Sequence, residues 1–210
     1  TLQVRSEFVA DVAAVLDELS RAMQPETMSG GVERIRRVIL FTGHGIDDED
    51  RHAPPRFPRT AAAEQEARRL IMEAVAKERE TESDLILGVA GGRCGGDILF
   101  HEACAELKVR TRMFLPIPKE AFSAKSVQPG GGNWVDRYER LVDRLKPRIL
   151  SESEELPLWL QGREDDRRED NRYTIWQRHK LWMLFNALAV NAQSLTLIAL
   201  WDHGKADGPG

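Results

Sequence analysis

Thiols are scarce in this chain. Cys94 and Cys104 are its only cysteines, and both lie in one short segment. Two cysteines cannot build the disulfide framework of a small secreted domain, so a reducing, cytoplasmic setting is expected. Long apolar runs are missing too. The longest, around residues 181–190 and 195–201, are broken by polar residues and fall short of the roughly 18 needed to span a bilayer. No membrane partner is therefore expected, and no segment reads as a signal peptide. There is no excess of positive charge. A net charge of −4 argues against a general nucleic-acid binder, whose footprint is a basic face. There is no internal repeat, no Gly-Lys-Ser/Thr of a P-loop, and no GxGxxG after the first strand, where only Gly43-His44-Gly45 stands. The chain thus calls for no cofactor.

What remains is the composition of a folded protein, with 41% hydrophobic and 30% charged residues. Residues 6–23 place Phe8, Val12, Val15, Leu16 and Leu19 on one helical stripe, and 24–31 is a loop with Pro25, Gly30 and Gly31. Residues 1–31 are accordingly expected to be an N-terminal helix and linker, and 32–210 a separate domain. Within that domain strands are expected over 37–42, 85–89, 109–115, 148–150 and 195–201. Helices are expected over 61–80, where Thr60 is the N-cap, and over 97–107, 118–124, 134–146 and 172–190. Trp134, Trp159, Trp176 and Trp182 are core candidates. The alternation predicts an α/β, Rossmann-like fold, with a mostly parallel sheet of about five strands and helices on both faces. The chain begins on Thr1 and ends in a loop, Asp207-Gly208-Pro209-Gly210, as expected of a piece of a longer protein.

In such a sheet ligands sit beyond the carboxyl ends of the strands. Several loops meet that condition. After the second strand comes Gly91-Gly92-Arg93-Cys94-Gly95-Gly96 and then Asp97 at a helix start. Strand, glycine turn and helix N-terminus together can turn backbone N–H groups toward an anion, although glycines can also serve only to turn the chain. Arg93 can fork a phosphate, or be a surface charge. Asp97 can cap the helix, or hold a ribose hydroxyl. His44 can donate to a phosphate, act as acid or base, or simply occupy a turn. Arg51, Arg56 and Arg59 lie in a proline-stiffened loop that could fold over an anion. Asp47, Asp48, Glu49 and Asp50 with His52 are contiguous rather than spaced to converge, so no metal is expected. A Cys94–His101 nucleophile pair is conceivable but lacks an oxyanion device, and Cys104 reads as core. Asp202 follows the last strand, where it can face a cleft or form a turn.

The segment GVAGGRCGGDILFH, residues 88–101, resembles the Gly-x-Ala-x-Gly-x-Asp-x-x-x-His pattern of the SLOG superfamily. That superfamily contains DNA-processing protein A and the LOG-like enzymes. Gly43-His44-Gly45 resembles its opening turn, with His44 where a serine is usual. The tail, 195–210, is similar to a bacterial group in which the domain is fused to tetratricopeptide repeats or signalling domains. The resemblance spans residues 37–115. It implies that Gly43, Gly45, Gly91, Gly92, Gly95, Gly96 and Asp97 surround a nucleotide or nucleotide-derived ligand; the loops themselves add His44, Arg56, Arg93 and Cys94 to the expected ligand-binding residues. The catalytic glutamate of the phosphoribohydrolase branch falls at Phe100 here. The expectation is therefore a ligand sensor within a larger protein. Its enzymatic rival is a nucleotide hydrolase or N-glycosidase using Asp97, Glu102, Glu120 or Asp202. Expected partners are the nucleotide-like molecule, fused upstream and downstream domains, and a second copy in a homo-oligomer.

Overall fold

A computed structural model describes residues 35–48, 54–79, 85–160 and 173–202. The helix expected over 6–23 and the domain boundary after residue 31 lie outside these residues. Five strands form one parallel sheet: β1 (Arg37–Gly43), β2 (Ile86–Ala90), β3 (Arg110–Leu115), β4 (Arg148–Ile149) and β5 (Ser194–Leu200). Their spatial order is β4-β3-β2-β1-β5. Five helices are described: α1 (Ala61–Arg79), α2 (Gly96–Glu106), α3 (Lys119–Ser126), α4 (Trp134–Leu145) and α5 (Ile175–Ala189). The expected Rossmann-like α/β architecture is thus present, with every strand pair parallel.

Side-chain alternation along the strands creates two cores. Ile39 and Phe41 of β1, Ile86 and Ala90 of β2, and Met113 and Leu115 of β3 face α1, α2, α3 and α4. Val38, Leu40, Leu87, Val89 and Phe114 face the opposite way, toward Met183 and Ala187 of α5. Phe41 and Phe100 stack with ring centroids 4.7 Å apart, fixing the start of α2 on β1. Removing either ring should cost about 3–5 kcal/mol, as for other buried aromatics. Trp134 is buried as expected, whereas Trp159 is 79% exposed. Trp159 lies in a short 3-10 turn, Leu158–Leu160, that contributes no buried residue.

Helix starts follow local chemistry. Thr60 Oγ1 accepts the Ala63 N–H at 3.2 Å, the cap expected for α1. Thr174 and Gln177 form a reciprocal capping box at α5. Asp97 departs from expectation. The N-cap of α2 is Gly95, without a side-chain cap, and Asp97 sits inside the first turn.

Chain order from β1 to β4 marches outward across the sheet, and α5 carries the chain back to β5 on the far side of β1. The direction of travel therefore reverses between β1 and β5. The carboxyl ends of these two strands lie side by side there, the place in such a sheet where a crevice opens.

Candidate ligand site at the carboxyl edge of the sheet

The crevice is a cleft of about 200 Å³ lined by His44, Arg56, Phe57, Pro58, Ala63, Glu66, Ala67, Leu70, Leu200, Trp201 and Asp202. His44 comes from the β1 loop and Asp202 from the β5 end. The two residues are far apart in sequence, but β1 and β5 are neighbours in register, with Gly43 opposite Leu200. His44 Nε2 and Asp202 Oδ1 are consequently 3.2 Å apart. A carboxylate only accepts, so the imidazole N–H is the donor. Arg56 Nε lies 3.5 Å from the other oxygen, Asp202 Oδ2. One carboxylate thus joins a histidine and an arginine at the mouth of a mostly apolar slot that Glu66 also lines.

Arg56 reaches this place because its loop is tied. Asp47 Oδ2 accepts the N–H groups of both Arg56 and Phe57 at 2.9 Å, and Asp47 N–H donates to Phe57 O at 2.9 Å. Arg59 donates to the carbonyls of Asp47 and Pro129, fastening the loop to a short 3-10 turn, Gln128–Gly130. Asp47 is thus a loop anchor. Arg51 and His52 lie outside the described residues.

The Gly91–Asp97 loop is joined to the β1 loop by backbone contacts. Gly45 and Gly95 form an antiparallel bridge, Ile46 N–H donates to Cys94 O at 3.1 Å, and Gly96 N–H donates to His44 O at 3.0 Å. Gly95 adopts φ +100°, and a Cβ there would lie 2.7 Å from Ile46 N. The Arg93 side chain runs over Gly45, in the space any Cβ at that position would take.

The expected ring of bare N–H groups is correspondingly narrower. Cys94 N–H donates to Ser126 O at 3.1 Å, Arg93 N–H to Asp97 Oδ2 at 3.1 Å, and Gly96 N–H to His44. Asp97 and Ile98, in the first turn of α2, remain as donors without an intrahelical acceptor.

Asp97 is partly buried. Desolvation pushes its pKa up to about 6, against the lowering influence of the Arg93 N–H and of the Arg93 and Lys180 charges. Lys180, in the first turns of α5, has its own pKa lowered by burial, with Asp97 and Arg93 acting in opposite senses. Neither Arg93 nor Lys180 forms an ion pair among the described residues. Two cations therefore flank one carboxyl beside a helix N-terminus, a surface suited to an anion.

The remaining sequence candidates are dispersed. Gly43 packs on Phe41 and Leu200, Gly91 on Asp97, and Gly92 on Leu115 and Tyr138. Cys94 is buried, with Sγ against Gly130, and desolvation raises its pKa. His101 is also buried. Nε2 meets Gly91 O at 2.9 Å and Nδ1 meets Thr111 Oγ1 at 2.9 Å, so no Cys94–His101 pair forms. Burial pushes the Cys104 thiol up as well, in keeping with its core position. Glu102 is clamped by Arg137, whose Nε lies 2.8 Å away, while Arg137 Nη1 reaches Glu64 at 2.7 Å. Glu120 is exposed beside Lys119. Neither Glu102 nor Glu120 lines the cleft.

Sequence reading missed Lys180, Phe57 and Glu66. Lys180 had a signal. A crossover helix runs antiparallel to the strands, so the first turns of α5 had to fall at the same edge as the glycine loops. Glu66, in the first turns of the crossover helix α1, had the same signal, whereas Phe57 had none, because its placement depends on the hydrogen bonds to Asp47.

Comparison with protein-family models, with curated proteins and with solved structures finds no match to this chain.

Proposed function

We propose that this chain binds a nucleotide or nucleotide-derived signalling ligand at the carboxyl edge of its sheet, as a sensing module of a larger protein. The observation that carries this reading is the presence of two unlike surfaces at one edge of the sheet, where the β1 and β2 loops are bonded to each other. One is the small apolar slot with His44, Arg56 and Asp202 at its mouth. The other is the Arg93–Lys180 pair beside the start of α2. A slot of about 200 Å³ suits a base or a sugar better than a whole nucleotide, and hydroxyl or ring N–H groups can bond to Asp202. Phosphates would take the cationic surface, Asp97 in its protonated form adding a donor rather than a repelling charge.

A second reading rests on the His44–Asp202 contact alone. A carboxylate that orients an imidazole is the arrangement of a general base, here able to deprotonate a water for attack on a glycosidic carbon as the base departs. That would make the chain a nucleotide hydrolase or N-glycosidase.

One experiment separates the two. The purified chain is incubated with nucleoside mono- and diphosphates, cyclic nucleotides and ADP-ribose, following melting temperature and base release together. A phosphate-dependent rise without base release, diminished in Arg93→Ala, supports the sensor. Base release abolished by Asp202→Asn transfers the chain to the hydrolase reading. No melting shift with any of these ligands overturns the proposal.

A further inference from the structure

Parallel sheets bury both faces, because each exposed face of such a sheet is strongly apolar. In this sheet one face is covered by α1 to α4 and the other by α5, which lies over β1, β2 and β3. The β5 strand is treated unequally. Ile198 and Leu200 pack into the first core, so the alternating residues Leu195 and Leu197 point to the α5 side. They join neither core. Beside them α5 turns a second stripe outward. Leu181, Phe185 and Leu188 are spaced by four and three residues on one helical face, opposite the buried Met183 and Ala187.

These five side chains are each between 38% and 63% exposed. At roughly 200 Å² for a fully exposed side chain of this size, they present on the order of 500 Å² of apolar surface. The largest apolar patch on a typical monomer is about 300–600 Å², and such patches commonly mark interaction sites. Strand β5 carries no charge, proline or bulge to discourage contact.

The patch has a shape as well as an area. Its α5 part is a ridge, and its β5 part is a floor that none of the described helices covers, one strand beyond the reach of α5. A ridge and a floor side by side on one surface are self-complementary under a two-fold axis. We propose that this face is a homodimer interface, in which the α5 ridge of each copy seats on the bare β5 face of the other. Each copy thereby lays a helix on the β5 face of its partner. Burying the patch from both copies removes on the order of 1,000 Å², the size at which specific interfaces begin.

Phe185 and Leu197 are the most exposed members of ridge and floor, and the two-fold arrangement sets each against the other across the interface. The mass of the full chain in solution, measured by light scattering over rising concentration, should double. Phe185→Lys and Leu197→Glu, each on the surface, should separately return it to monomer with an unchanged far-ultraviolet spectrum. Mixing the two variants should restore a heterodimer, since one half of the interface then pairs Lys with Glu and the other keeps Phe on Leu. A chain that stays monomeric, single variants that stay dimeric, or a mixture that stays monomeric overturns the proposal. If either charged variant loses its fold, Phe185→Cys and Leu197→Cys chains replace them. Both native thiols are buried and free, so a mixed disulfide between the variants reports the contact and its failure to form refutes it.

Discussion

Asp97 turns its carboxyl back onto the loop that precedes its own helix. Oδ2 accepts the Arg93 N–H at 3.1 Å and lies 2.5 Å from where a Cβ on Gly91 would stand. A residue expected to cap the helix instead braces the glycine loop, and it does so at an electrostatic cost, since burial lifts its pKa to about 6 from an ordinary 3.8.

That cost is measurable. A carboxyl whose folded pKa exceeds its unfolded value gives stability that is complete at low pH and lost as pH rises through about 6. Asp97→Asn keeps an acceptor for Arg93 without the charge. It should raise the melting temperature at about pH 7.5 by a few degrees, corresponding to about 1 kcal/mol once partial exposure is allowed for, and change little at about pH 3.5. Calorimetry at the two pH values checks this. Equal effects at both would mean that the ionised carboxyl is not under strain.

His101 and His179 work in the opposite direction. Each is buried with Nε2 donating to a backbone carbonyl, Gly91 O and Phe114 O respectively, at 2.9 Å, and burial pushes each pKa down to about 4. The unfolded chain takes up these protons near pH 6.5 and the folded chain only near 4. The stability involved is complete above about 6.5 and drains away as pH falls toward 4. His101→Gln should lower stability at neutral pH by about 2 kcal/mol through imperfect hydrogen bonding. The same variant should show a smaller drop between neutral pH and about pH 5 than the parent chain. Urea titrations across that window test the point, and an undiminished drop would contradict it.

Gly95 and Gly132 separate close approach from mere positive φ. Gly95 has φ +100° and would push a Cβ to 2.7 Å from Ile46 N, whereas Gly132 has φ +54° with nothing within 4 Å. Gly95→Ala should therefore cost about 3 kcal/mol or more, and Gly132→Ala about 1 kcal/mol. Comparable losses at the two sites, measured by denaturant unfolding, would argue against the tight junction of the β1 and β2 loops.

Arg137 should divide stability from binding. It is 7% exposed, lies 4.0 Å over the Trp134 ring, and bonds Glu64 and Glu102, so it ties α1, α2 and α4 together. Arg137→Gln should cost about 3 kcal/mol by leaving two carboxylates unpaired. Glu102→Gln should lower the melting temperature while leaving any nucleotide-induced shift intact. Loss of that shift in Glu102→Gln would return Glu102 to the candidate site.

The secondary structure was legible because its signals are local. β1 reads as an apolar run entering Gly43, and α1 as a Thr60-capped amphipathic repeat, whichever neighbours they meet. Much of the glycine loop was legible for the same reason, since strand, glycines and helix start are contiguous. The role of Asp97 was not. Capping and bracing use the same carboxyl at the same position, and the choice turns on whether Gly91 leaves room for it.

Sequence alone determined that this chain makes parallel strands joined by helices, and that its glycines, Arg93, Asp97 and His44 gather at one edge of the sheet. It did so because hydrophobic period and turn chemistry act over a few residues. Only the tertiary structure decided that β5 returns beside β1. That single crossover sets Asp202 against His44 and Arg56, and it carries Lys180 to Arg93. It also leaves one face of β5 beyond the reach of α5. These contacts join residues distant in sequence, and strand order rather than any local propensity brings them together.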